Sequence, residues 1–278
     1  MNKLLHPRFV IGTSLVLAVL LAAIFAPLLA PYDPAHQDLL ATLAPAAWQH
    51  GGSTAHLLGT DSLGRDVLSR LIYGARAAML VAVAAATGAA LIGSLLALAG
   101  GYLGGWVDWS IGRAVDVWMS FPPVILSLIL MTGLGTGLFN VILAIVLVDW
   151  TRFCRVLRAE VLVVSRRDHV AAARLLGFSH LRTVLLEVLP AVLPLLFTLF
   201  ALEMGIAVVV EAILSFVGLG VGANQIAWGQ MIADGRQAVF EAPWNLLAPV
   251  LAIFATVAGC NLAGDGLRRA LDLDTTRA

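Results

Sequence analysis

The sequence predicts an all-α, polytopic membrane protein, and three observations carry the prediction. Hydrophobic residues make up 60% of the 278-residue chain and charged residues only 12%. Soluble domains ordinarily carry about a quarter charged residues. Six apolar stretches reach or approach the roughly 20 helical residues needed to cross a bilayer core of about 30 Å. Basic residues, finally, are distributed unevenly among the segments that join these stretches. Mean hydropathy is +0.93. Formal net charge is zero, so no overall field argues for nucleic acid as a partner. The expected surroundings are a lipid bilayer.

In chain order the expected spans are 9–30, 77–101, 112–134, 136–153, 188–218 and 243–264. Lys3 and Arg8 precede the first, as they would a cleaved signal peptide. Its apolar run is longer than such a signal needs and no A-x-A site follows, so a retained span is expected. The fourth is the weakest, because Asp149, Trp150 and Arg152 interrupt its end. The fifth is long enough to emerge from the membrane on one side.

Orientation follows from the basic residues. With the N-terminus in the cytoplasm, the inner segments hold Lys3, Arg8 and eleven further arginines between Arg113 and Arg277. The outer segments hold Arg65, Arg70, Arg76 and Arg236, thirteen against four. Both termini are therefore expected inside. The expected organisation is a tail and first span over 1–30, an external loop over 31–76, and five further spans over 77–264. A cytoplasmic loop over 154–187 and a tail over 265–278 complete it. The 219–242 segment also faces out.

Within the cytoplasmic loop, HVAAARLLGFSHLRTVLLEVLP (169–190) reads like soluble protein. Ser165 and Asp168 have the spacing of a capping box, in which Ser165 caps a helix and Asp168 reaches back. Asp168 also suits the positive end of that helix. Ala171, Ala172 and Ala173 favour helix and present a low, smooth surface. Gly177 is a natural stop. Phe178, Leu181, Leu185 and Val188 then recur at helical spacing toward Pro190. An amphipathic helix lying on lipid is the alternative. The small alanine face favours close contact with protein.

Around 169–190 the chain resembles the EAA loop of binding-protein-dependent ABC importer permeases. It gives Ala171-Ala172-Ala173, three residues, Gly177, and then Leu189-Pro190 at the family spacing. One departure stands out, because the family's Glu is Ala171 here. A second stretch, HLLGTDSLGRDVLSRLIYGAR (56–76), resembles the external signature of dipeptide, oligopeptide and nickel importer permeases. It contains Gly59, Thr60, Asp61, Gly64, Arg65, Asp66, Ser69 and Arg70. Phe121-Pro122, Glu211-Ala212, Ser215 to Gly220, Trp228-Gly229 and Asn261 to Arg268 also match, so the likeness covers nearly the whole chain.

The resemblance implies a type I ABC importer permease fold in a bacterial inner membrane. It implies a second homologous permease, two ATP-binding subunits and a periplasmic substrate-binding protein as partners. Arg166, Arg167, Asp168, Ala171, Ala172, Ala173, Gly177, Leu189 and Pro190 would form the ATPase-coupling element. No phosphate loop is present, and the single lysine is Lys3. The chain is therefore not expected to be an enzyme or to bind a cofactor, and ATP and Mg belong to the partner subunits. The implied cargo is a di- or oligopeptide; nickel or a metal chelate is the alternative within the family.

Other classes fit less well. A proton-coupled secondary transporter would carry ionisable groups in several spans and often inverted repeats, whereas the mid-span acids here are Glu203 and Glu211. Those two are candidates for a translocation path; for Glu211 the alternative is solvation near the outer interface or pairing with a neighbouring span. A membrane hydrolase would need a nucleophile–base pair, and neither G-x-S-x-G nor H-E-x-x-H occurs. Asp61, Arg65 and Asp66 are either docking contacts for the binding protein or a charge-paired turn. Trp48, Trp106, Trp109, Trp228 and Trp244, near span ends, suit an interfacial belt. No ligand cluster with metal spacing accompanies His50 and His56. Cys154 and Cys260 read as small buried hydrophobes.

Overall fold

The computed structural model describes residues 7–222 and 225–275; Lys3, His6 and Arg277 lie outside them. The described residues are helices joined by loops and turns. Helix α1 (Pro7–Ile24) and the short α2 (Ala26–Leu29) are followed by a long loop, and then by α3 (Val67–Leu103). Next come α4 (Gly105–Met119), α5 (Pro123–Leu134), α6 (Leu138–Val164), α7 (Asp168–Leu175) and α8 (His180–Thr183). Helices α9 (Leu189–Phe216), α10 (Trp228–Gly235) and α11 (Trp244–Thr275) complete the chain.

Four helical stretches are long and apolar enough to cross a membrane: Pro7–Ile24, Val67–Leu103, His180–Phe216 and Trp244–Ala270. The α4–α5 pair passes the same test but is bent by 85°. The continuous third span expected over 112–134 is thus broken. Pro122 and Pro123 lack N–H groups and push the preceding residues out of helical geometry. Helix α6 runs well past the apolar stretch ending at 153, because its charged residues are paired.

Small residues decide which helices touch. A Cβ on Gly88 would fall 2.6 Å from Val146, one on Gly93 2.5 Å from Phe153, and one on Gly101 2.7 Å from Val161. These contacts advance together along both helices, so α3 and α6 lie side by side and run the same way. On the other flank Gly12 meets the backbone of Ala263, and Gly266 meets Phe9. Helix α1 is thus docked on α11 by backbone approach, the usual device where lipid supplies no hydrophobic drive between helices.

Helix α3 begins earlier than the apolar stretch 77–101 and, at 37 residues, is about 55 Å long. That exceeds a ~30 Å core, so its first turns carry the signature arginines beyond the apolar zone. The 31–66 loop, the α5–α6 turn, the end of α9 and α10 gather at one end of the bundle. The end of α3, α7 and α8 lie at the other.

Candidate functional site

The segment between α6 and α9 is a folded handle. Ser165 does not cap α7, contrary to the capping box expected from sequence. It still has helical dihedrals at the end of α6, its N–H bonds Val161 O, and Arg167 is the residue preceding α7. The Ser165 hydroxyl is buried without a partner. The chain turns too tightly there, with Arg166 N bonding Val163 O and Arg167 N bonding Val164 O.

Helix α7 turns Val170 and Ala173 inward, where both are buried. Val170 joins the cluster formed by Val161, Val164, Val188 and Val192. Asp168, Ala171 and Ala172 face out, and Leu175 and Leu176 are 89% and 78% exposed. The helix ends at Gly177, as expected, in a Schellman motif. Phe178 N bonds Ala173 O at 3.1 Å and Gly177 N bonds Arg174 O at 3.0 Å, with Gly177 at φ +85°.

Two stacks fix the handle to the bundle. Arg174 lies over the Tyr102 ring at 4.6 Å, and Tyr102 Oη lies 3.3 Å from His180 Nδ1. Arg182 lies over Phe178 at 4.0 Å, and Ser179 caps α8. Of the residues recurring at helical spacing, Leu181 and Leu185 are 69% and 48% exposed, while Val188 is buried. A π-helical turn over Val184–Val188 separates α8 from α9. It precedes Pro190, whose ring nitrogen cannot supply the next helical bond. Leu189 N–H bonds Val184 O.

The signature at the other end is mostly interior. Asp66 caps α3 by accepting from Ser69 N and Ser69 Oγ, each at 2.7 Å, and binds His56 Nδ1 at 2.9 Å. Asp61 accepts from Leu63 N and Arg65 N and pairs with Arg65 Nε at 2.6 Å. Arg65 reaches Asp234 at 3.2 Å, and Arg70 lies 3.6 Å from Asp61 and 3.8 Å from Asp234. Thr60 accepts from Ala44 N, donates to Ala41 O, and offers its own carbonyl to Asn245 Nδ2. A Cβ on Gly64 would lie 1.8 Å from Asp38 O, and one on Gly59 2.4 Å from Ala44 O. Of the two readings of Asp61, Arg65 and Asp66, the charge-paired turn describes the geometry.

Both mid-span acids are 1% exposed. Glu203 binds Arg152 at 2.8 Å, and Arg152 also lies 3.5 Å from Asp149. Glu211 accepts from Ser215 Oγ at 2.6 Å. Arginine pairing continues along α6: Arg155 meets Asp116 at 2.9 Å, and Arg158 holds Asp108 through two nitrogens. These pairs stitch α4 and α9 to α6. Sequence reading missed the Arg152–Glu203 pair because its members are 51 residues apart.

Two tryptophans leave the expected interfacial belt. Trp228 and Trp244 are 2% and 9% exposed. Trp228 packs on Gly74 and donates to Leu71 O at 2.9 Å. Trp48, Trp106 and Trp109 are exposed. Cys154 and Cys260 are free and buried. Among the described residues no group of three potential metal ligands occurs.

A multi-span helical bundle with a soluble-type helix built into one loop defines a class of membrane transport component. The family described as binding-protein-dependent transport system inner membrane component matches residues 89–277, and this chain belongs to it, with the type I ABC importer permease fold. The N-terminal transmembrane domain of oligopeptide transport permease C matches residues 4–46. The dipeptide transport system permease protein of Escherichia coli K12 is 43% identical over 263 residues, 95% of this chain and 88% of that protein. The di/tripeptide permease of Pseudomonas aeruginosa is 38% identical, covering 94% and 86%. The nickel transport system permease of E. coli K12 is 38% identical over 274 residues, 98% and 97% of the two chains.

Proposed function

We propose that the chain is one of two permease subunits of an ATP-driven importer for di- or oligopeptides. A binding protein would deliver the cargo from outside. The carrying observation is the 43% identity to a dipeptide permease across 95% of the chain, together with a coupling segment that leaves Asp168, Ala171 and Ala172 exposed. In this reading the bundle crosses the membrane six times, α6 and the broken α4–α5 pair included. Both termini and α7 are cytoplasmic, and the 31–66 loop faces out. The same arrangement keeps the organisation expected above: tail and first span, external loop, core, and cytoplasmic tail.

Asp168, Ala171, Ala172 and Gly177 would sit in a cleft of one ATP-binding subunit, with Arg166 and Arg167 at its rim. Leu175 and Leu176 would supply the apolar contact. ATP and Mg would be bound and turned over in those subunits and not in this chain. Closure of the ATPases would push α7. Because Val170 and Ala173 pack into the α6–α9 core, the push would reach both spans, with Leu189 and Pro190 at the π turn as the point of bending. Glu203 and Glu211 were weighed as path-lining residues. Glu203 is better read as a static tie to Arg152 between α6 and α9; Glu211 is taken up below.

A nickel or metal-chelate cargo is the second reading, favoured by the 97% coverage of the nickel permease. Uptake by a strain lacking this subunit, with and without its restoration, separates the two. Labelled dipeptide and labelled nickel, free or with histidine, are run side by side. Loss of dipeptide uptake alone is expected. Loss of nickel uptake alone would replace the peptide reading, and loss of neither would end both.

A further inference from the structure

We infer that a cavity at the end of α9 cradles a cationic group on the cargo, with Glu211 as its counter-charge; the inference rests on the importer reading above. The cavity has a volume of about 220 Å³ and is lined by Thr136, Ser215, Gly218, Gly220, Val221, Gly222 and Gln230. At ~30 Å³ per water that is room for roughly seven waters, or for an amino group and the carbons beside it. None of the seven is charged, and all lie at the end of the bundle that carries the 31–66 loop.

Three features point to a cation. Helix α9 is 28 residues long and its C-terminus delivers partial negative charge here. It closes with a Schellman motif, Leu219 N to Leu214 O at 2.9 Å and Gly218 N to Ser215 O at 3.1 Å. Next, nothing lies within 4 Å of a Cβ placed on Gly218 or Gly222, while one on Gly220 would fall 2.0 Å from Ser215 Oγ. Glycine at 218 and 222 therefore leaves open space beside the helix end, and glycine at 220 lets the loop lie against the serine hydroxyl.

The third feature is Glu211, one turn inside. It is 1% exposed. Its Oε1 accepts from Ser215, and its Oε2 is buried with no hydrogen-bond partner. Among the described residues no cation pairs with it; Arg236, which packs on this helix end, lies over the Phe216 ring at 5.3 Å. An unmet buried carboxylate oxygen costs about 1–3 kcal/mol, so stability does not explain it. Ser215 donates its proton to Glu211, which leaves its lone pairs for a donor in the cavity. An ammonium there meets the serine oxygen and the Thr136 and Gln230 oxygens, with the partial negative charge of the helix end and the charge of Glu211 behind. Glu203 also has one buried oxygen without a partner, but Arg152 at 2.8 Å answers its charge, and no cation among the described residues does so for Glu211.

The cationic group is a peptide ammonium or a nickel ion, and one experiment distinguishes them. The chain is reconstituted in liposomes with its partner permease, ATPases and binding protein. Uptake of a labelled dipeptide with a free N-terminus and of labelled nickel with histidine is measured. The variants are Glu211→Gln, Gln230→Lys and Gln230→Glu. For whichever probe the wild type carries, Glu211→Gln and Gln230→Lys should each lower the initial rate at least tenfold, and Gln230→Glu should lower it several-fold less than Gln230→Lys does. The probe affected names the source of the charge. Equal losses in the two Gln230 variants, or wild-type rates in Glu211→Gln, would overturn the inference. If Glu211→Gln fails to assemble, the half-buried Gln230 pair decides alone. Wild-type transport of neither probe would remove the importer reading and the cradle with it.

Discussion

At the end that carries residues 31–66, the polar side chains of the signature turn inward and are used up on one another. At the opposite end, α7 buries Val170 and Ala173 and leaves Asp168, Ala171, Ala172 and Leu175 exposed. Asp61, Arg65, Arg70 and Asp234 form a closed set of ion pairs, and Asp66 is fully engaged by Ser69 and His56. Ala171, Ala172, Leu175 and Leu176 are exposed. Both stretches are rich in recognisable residues, yet one is a clamp on the chain's own fold and the other an exposed surface, which the proposed function assigns to contact with another subunit. A motif's distinctiveness therefore does not say whether it acts inside the molecule or beyond it; burial does.

The comparison breaks first at Gly64. Its φ is +70°, and a Cβ there would meet the Asp38 carbonyl at 1.8 Å, so the loop must move. Gly64→Ala should lower stability by roughly 3 kcal/mol, combining left-handed strain with overpacking. The midpoint of thermal unfolding in detergent would fall, and less protein would reach the membrane. An unchanged midpoint would mean that the signature is not the clamp described here.

Gly177 should behave the opposite way. It also has positive φ, +85°, but nothing lies within 4 Å of a Cβ there. Gly177→Leu should cost only the left-handed conformation, about 1–2 kcal/mol, and leave the bundle folded. Uptake, or retention of the ATP-binding subunits during purification, should be lost. Normal co-purification together with normal uptake would remove α7 from the coupling role.

How far the sequence was legible follows the same division. Gly177, Gly59 and Gly64 could be read as turns because positive φ is a local demand. The start of α3 was hidden because Asp66, its cap, lay inside a charged signature ahead of the apolar run. Ser165 and Asp168 have capping-box spacing, but spacing cannot tell the last turn of one helix from the first of the next. Trp228 and Trp244 stood near span ends, which fixes their depth and not the direction they face. The Arg152–Glu203 and Arg65–Asp234 pairs were invisible, since partners 51 and 169 residues apart meet only through tertiary packing. The break between α4 and α5 was written in Pro122-Pro123, which the apolar run around them obscured.

The smallest expected effect tests the departure at Ala171, where the family carries Glu. The side chain faces outward on α7, four residues past Arg167, and its backbone N–H bonds Arg167 O at 3.2 Å. Ala171→Glu therefore adds a carboxylate near the positive end of the helix without displacing a packed group. It loses a little helix propensity and gains a little from the dipole, so stability should stay within about 0.5 kcal/mol. If the glutamate's role lies in the ATPase cleft, the variant should hold the ATP-binding subunits through longer washing, with the unfolding midpoint unchanged. A shifted midpoint would place the glutamate's effect inside this chain. Weaker retention would mean that the cleft facing this subunit has adapted to alanine, and that the two permeases grip their motors by different contacts.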